Sequence, residues 1–321
     1  MTADIRVATF NLENLDWSAV RDEQFKRRVA ALKPILHDLR PDILCLQEIG
    51  AQKATAHAQR SFIALDRLLA GGPFEAYSRA TSTRPGSVLP ADVHNLAILS
   101  RWPICEQRQI HHDIVPKLRW TPPHLSGAES GSLEITFDRP LLYVRVCPPG
   151  APPLHLINLH LRAPRPVPLP SLGPSSRAFA EGQFLAAQKS NGQALEARLF
   201  AESLFDCEPG ARIAICGDFN ADEHEAPMRI LLGDHRDDAR LLRQLEARLP
   251  PERRYSVIHA GRPTLIDHIL ASRSLALDCI HVEILNQGLQ DEVFASEPIE
   301  GSLHAPVVAS FRTACFGAAT D

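Results

Sequence analysis

The sequence predicts an α/β protein in which strands and helices alternate along a chain of ordinary soluble composition. Three observations carry this. Apolar runs of strand length recur from one end to the other. Stretches with helical spacing lie between them. Hydrophobic residues make up 45% and charged residues 22% of the chain, the balance of an average globular domain. At 321 residues the chain is long enough for one large domain, and a single domain over 1–321 is expected.

"IRVATFNL" (5–12) reads as the first strand. In "FKRRVAALKPILHDL" (25–39), Phe25, Val29, Leu32, Leu36 and Leu39 recur at spacings of four, three, four and three, one apolar helix face that Pro41 ends. "DILCLQEI" (42–49) is a buried strand with a polar end, and "AQRSFIALDRLLAGG" (58–72) a helix closed by glycine. Strands follow at 95–100, 133–137, 141–146 and 154–161. The five prolines of "RAPRPVPLPSLGPSS" (162–176) exclude helix interior and central strand there. Candidate polar residues fall on both sides of that segment, so it reads as a long loop rather than a linker. Helix is expected over 178–206 and again over 237–249, with strands at 212–220, 264–270, 280–285 and 305–311.

Composition excludes several classes. The longest apolar runs, such as "LAIL" and "IAIC", are far below the roughly 20 residues of a membrane span, and "MTADIRVATF" carries no signal-peptide pattern. Seven cysteines without CxxC spacing argue against a zinc site or a disulfide framework and point to a reducing, cytoplasmic setting. A net charge of −4 gives no global basic footprint for long nucleic acid.

The strands share one unusual property: each is apolar and then ends or begins in a carboxylate, amide or imidazole. Asn11 and Glu13 end the first and Glu48 the second; Asn158 and His160 lie in "INLHL"; Asp218 and Asn220 end "IAICGDFN"; Asp267 interrupts "TLIDHIL"; His304 opens the last. One such residue is readily a turn or cap. Six sites together are chemically coherent, because charged groups in apolar strands need partners or a metal. Carboxylates and amide oxygens suit a hard cation such as Mg²⁺.

In this order, "TFNLEN", "LCLQEI", "LAILSRWPI", "INLHL", "CGDFNAD", "LIDHIL" and "SLHAPV" resemble the signature blocks of the endonuclease/exonuclease/phosphatase superfamily, the DNase I-like proteins. The resemblance runs from residue 5 to about 312. It implies a four-layer α/β sandwich, two packed and mainly antiparallel sheets flanked by helices, and metal-dependent hydrolysis of a phosphodiester or phosphomonoester by activated water. It implies Glu48 as main Mg²⁺ ligand, with Glu13 as a plausible second and Mn²⁺ as a substitute metal. Asn11 would order the metal and phosphate site. Asp218 would position or deprotonate water, while Asn220 and His160 would hold phosphate oxygens. Asp267 would orient His304, which then acts as a base or as a cation holding phosphate. Asn158 lies on the His160 side of its strand, and Arg162, beside the proline loop, is a candidate substrate contact.

One position departs from the pattern. Most members of the superfamily carry aspartate before the final histidine, where this chain has Leu303. A weaker metal site follows, or a homologue that binds phosphate without turning it over. A DNA endonuclease shares the chemistry but needs a DNA-binding surface. The partner expected is a phosphate ester, with nucleotide or nucleic acid among the candidates.

Overall fold

The computed structural model describes residues 4–122, 132–169, 173, 175–234, 236–295 and 299–312. In chain order the strands are β1 (Ile5–Leu15), β2 (Ile43–Ile49), β3 (Gln52–Lys53), β4 (Arg60–Ser61), β5 (Ser78–Thr81) and β6 (Asn95–Ser100). They continue with β7 (Ile104–Ile110), β8 (Leu118–Trp120), β9 (Leu133–Ile135), β10 (Leu141–Val146), β11 (Leu154–His160) and β12 (Ile213–Asp218). The last six are β13 (Leu242–Gln244), β14 (Val257–His259), β15 (Arg262–Thr264), β16 (Asp267–Ser272), β17 (Cys279–Ile284) and β18 (Val307–Phe311). Helices are α1 (Asp22–Leu39), α2 (Ile63–Leu69), α3 (Ser176–Cys207), α4 (Ala226–Leu232) and α5 (Arg273–Leu277).

One six-stranded sheet has the order β17-β18-β1-β2-β6-β5 and the other β13-β16-β12-β11-β10-β7. Only β1/β2 and β11/β12 pair in parallel; the remaining neighbours are antiparallel. Strand alternation then assigns every side chain to a layer. Ile5, Val7, Ile43, Cys45 and Ile98 of the first sheet meet Leu154, Leu156, Ala214, Cys216 and Ile269 of the second in a core between the sheets. Phe10, Leu44 and Leu46 turn outward onto Phe25, Leu32, Leu36 and Leu65 of α1 and α2. Ile157, Leu159, Ile213 and Ile215 turn outward onto Ala197, Phe200 and Phe205 of α3 and Met228 of α4. The result is the helix–sheet–sheet–helix sandwich. Among the described residues no helix is long and apolar enough to cross a membrane.

Two expectations are corrected. Residues 237–249 hold no α-helix: β13 pairs with the end of β16, and a 3-10 turn over Leu245–Arg248 follows. Leu242 and Leu245 are buried just as a helix face would bury them, but at the sheet edge. Second, Cys105 and Cys147 form a disulfide between the start of β7 and the end of β10, which withdraws the support unpaired thiols gave to a reducing compartment. Beyond these, β5 and the largely polar edge strand β7 carry no strand pattern in the sequence. The proline segment lies partly outside the described residues; α3 begins after it at Ser176, with Ser175 as N-cap accepting from the Ala178 amide.

Candidate active site

The polar residues picked out in the sequence sit where inner-face alternation runs out at one end of the sheets. After Val7 and Thr9, the next inward residue of β1 is Asn11; after Ala214 and Cys216, the next of β12 is Asp218. The pairing register sets Asp267 beside Asp218 and Asp218 beside His160, a row across β16, β12 and β11. Gly217 permits this close approach, since a Cβ there would fall 1.9 Å from the Leu159 carbonyl oxygen. Glu48 arrives differently. Alternation groups it with Leu44 and Leu46 on the outer face, but it adopts φ 60° at an irregularity in the β1/β2 and β2/β6 registers. Of the eight non-glycine residues with positive φ among those described, Glu13, Asn14, Glu48, His94 and Asn220 all cluster here. Such strained backbone concentrates at functional sites.

His304 Nδ1 donates to Asp267 Oδ2 at 2.8 Å, with the histidine 8% and the aspartate 1% exposed. Burial opposes the imidazolium, but the charge and hydrogen bond of Asp267, backed by Asp218 and Glu13, outweigh it and lift His304 to about 10. Burial, reinforced by the Asp267 charge, pushes the Asp218 carboxyl up to about 7, against the opposing His304 charge and the Asn220 amide. His160 Nε2 lies 3.2 Å from Asp218 Oδ2 and 3.7 Å from Glu48 Oε1. Burial and the nearby Arg139 charge keep its imidazole neutral.

Glu48 and Glu13 are the residues suited to a cation. Glu48 Oε2 accepts from the Asn14 amide at 2.9 Å, which fixes the carboxylate. Burial, followed by the neighbouring Glu48 charge, raises the Glu13 carboxyl despite the opposing His304 cation. A carboxylate whose charge is disfavoured by burial and by a neighbouring carboxylate is one that a hard divalent cation would relieve. Asp218, Asp267 and His304 also bring ligand atoms within 4.8 Å of one another. Here His304 is an imidazolium pinned by Asp267 and has no lone pair to give, so this trio reads as an acid–base set. Leu303 is buried and its side chain offers no oxygen.

Not every candidate reaches this centre as expected. Asn158, expected near substrate, is fully buried and its amide is spent: it donates to the carbonyls of Leu46 and Ala97 and accepts from Gln47 Nε2. It ties one sheet to the other beneath the site. Asn11 is likewise buried, but it does reach the centre, donating to Asp218 Oδ2 at 3.0 Å and accepting from the Glu13 amide. Asn220 donates its side-chain amide to the Leu161 carbonyl and its backbone amide to Asp218 Oδ1. Arg162 pairs with Asp138 at 3.3 Å and donates to the Arg165 carbonyl. The sequence reading missed His94, whose Nδ1 is 3.9 Å from Glu48 Oε1, and Arg139. His94 had a usable signal, a polar residue at the start of an apolar strand; Arg139 had none. Beside His304 a groove of about 770 Å³ opens, lined by Ser302, Leu285, Gln287 and Arg253 among others.

The sequence model of the Endonuclease/Exonuclease/phosphatase family matches residues 8–296. A search of curated proteins returns no match. Among solved structures, truncated Caenorhabditis elegans TDP2 superposes with a TM-score of 0.57 at 14% identity, covering 97% of this chain and 98% of that one. An AP endonuclease from Archaeoglobus fulgidus gives 0.53 at 16%, covering 96% and 99%. The 3′ phosphatase NExo from Neisseria, bound to a product DNA hairpin, gives 0.53 at 18%, again covering 96% and 99%. These likenesses confirm the fold, and the sequence match over most of the length decides membership: the chain belongs to the Endonuclease/Exonuclease/phosphatase family.

Proposed function

We propose that this chain, acting as one catalytic domain over residues 1–321, hydrolyses a phosphate ester by a divalent-cation-assisted attack of water. The observation that carries the reading is the 2.8 Å Asp267–His304 pair set beside Asp218 and within reach of Glu13. Asp218, with a carboxyl near 7, is ionised enough above neutral pH to take a proton from water. Asp267 keeps His304 charged, which favours the cation role over the base role: the imidazolium meets the oxygen on which negative charge grows. His160, neutral and facing Asp218, helps hold the water and phosphate between them. Glu48 and Glu13 would hold Mg²⁺, or Mn²⁺ in its place, and the bound cation would neutralise phosphoryl oxygens as a Lewis acid.

Family membership supports hydrolysis of phosphate esters in general, and enzymes of this family generally use divalent metal ions. Two structural relatives are described as an AP endonuclease and as a 3′ phosphatase bound to a product DNA hairpin. The net charge of −4 favours a small ester or nucleotide over long DNA. The test is a substrate panel of bis(p-nitrophenyl) phosphate, nucleotides, sugar phosphates, phospholipid head groups and DNA, each with Mg²⁺, Mn²⁺ or EDTA. Turnover that disappears with EDTA is expected. Absence of metal-dependent turnover on every substrate would leave a phosphate-binding homologue as the better reading.

A further inference from the structure

We propose that Arg139 holds a non-bridging oxygen of the scissile phosphate, at the far end of the site from the Asp267–His304 pair. The assignment rests on the phosphoester reading above. It begins with register. Leu142 of β10 pairs with Asn158 of β11, so three residues back Arg139 falls opposite Leu161, just past His160. Asp267, Asp218, His160 and Arg139 thus occupy the ends of four adjacent strands in the order β16, β12, β11, β10. The hydrogen bonds agree: Arg139 Nη1 donates to the Leu161 carbonyl at 3.2 Å, the same oxygen that receives the Asn220 side-chain amide.

The guanidinium is short of partners. Among the described residues its Nε is buried without an acceptor, and no carboxylate lies within ion-pair distance. The adjacent Asp138, its obvious counterion, is spent on Arg162 at 3.3 Å and Lys189 at 2.8 Å. A half-buried guanidinium whose Nε is sealed from solvent, and whose one hydrogen bond is to a carbonyl, gains from an anion that completes it. A planar fork of N–H donors matches two phosphate oxygens. The shared Leu161 carbonyl sets the guanidinium beside the Asn220 side chain, two residues past Asp218, and the electrostatics of the site agree. Glu48 and Asp218 are the charges that most support Arg139 against burial. Second only to burial itself, the Arg139 charge holds down the His94 and His160 imidazoles. Those two rings also carry buried, unpartnered Nδ1 atoms, so one end of the site is lined by unsatisfied nitrogen.

Inorganic phosphate is the probe, titrated calorimetrically into Mg²⁺-loaded wild type, Arg139→Lys and Arg139→Gln. Affinity is expected to fall about tenfold or more in Arg139→Gln, with Arg139→Lys between the two. On bis(p-nitrophenyl) phosphate the same order should appear in kcat/KM. A second readout needs no variant fold: in wild type, the Arg139 Nε–H resonance should shift on phosphate saturation. Equal phosphate affinity in all three proteins, or an Nε–H signal unmoved at saturation, overturns the assignment. Phosphate bound through Arg139 with no ester hydrolysed would sink the proposed activity and leave this assignment standing. Turnover with unchanged phosphate affinity in Arg139→Gln would do the reverse.

Discussion

Asp267→Asn tests the electrostatics of the site most sharply. The substitution keeps an oxygen acceptor for His304 Nδ1 and removes the charge. In the wild type that charge helps lift His304 from 6.5 to about 10 against burial. A rise of that size is on the order of 5 kcal/mol of preference for the imidazolium. Without the carboxylate, burial remains and the histidine should return to its ordinary range or below. At pH 8 a group titrating near 6.5 is only about 3% protonated, so a step that needs the cation slows roughly 30-fold. The defect should deepen about tenfold per pH unit above that point and shrink toward pH 6. Long-range ¹H–¹⁵N correlation of the His304 ring nitrogens against pH reads the first effect, and initial rates from pH 6 to 9 read the second. An unmoved His304 titration, or a rate defect equal at pH 6 and pH 9, would refute the reasoning.

Three further outcomes are expected. Asn158→Leu strips the side-chain donor from the buried carbonyls of Leu46 and Ala97, while Gln47 Nε2 keeps Thr9 Oγ1, and at about 1–3 kcal/mol for each unmet carbonyl the loss should reach roughly 2–6 kcal/mol in urea denaturation at pH 7; a loss below about 1 kcal/mol would deny it the bridging role. Asp218 is raised from 3.8 to about 7, so its favourable contribution is full below 3.8 and is lost as pH rises through 7. The thermal stability of the metal-free protein relative to Asp218→Asn should therefore decline between pH 4 and 8, and a flat difference over that range would contradict the shift. Leu303→Asp should lower the Mg²⁺ concentration giving half-maximal rate, at some cost in stability because the position is 6% exposed; unchanged metal dependence would remove Leu303 from the account.

How much of this was legible in the sequence depends on where strand alternation holds. Along β1 it holds as far as Asn11 and along β12 to Asp218, so the polar residues read at these strand ends fall on the inner face with the apolar residues before them. It fails where the backbone turns left-handed. Glu48 reaches the cleft through a bulge that no apolar pattern announces, and Glu13 and Asn14 leave the regular strand at φ 50° and 53°. Motif position found Asn158, but its task is set by carbonyls of β2 and β6, more than fifty residues away in the chain. Arg139 sits in the plain stretch "FDRPLL", and only the register of β10 on β11 carries it opposite Leu161, one residue past His160. The helix expected over 237–249 failed for a related reason: its buried leucines satisfy a sheet edge as well as a helix face, and pairing with β16 decides between them.

The most direct measurement compares metal-dependent hydrolysis of bis(p-nitrophenyl) phosphate by wild type, Glu48→Ala and His304→Ala, each verified as folded. The account predicts Mg²⁺-dependent turnover in wild type, lost by several orders of magnitude in both variants. Rates equal in all three proteins would contradict it.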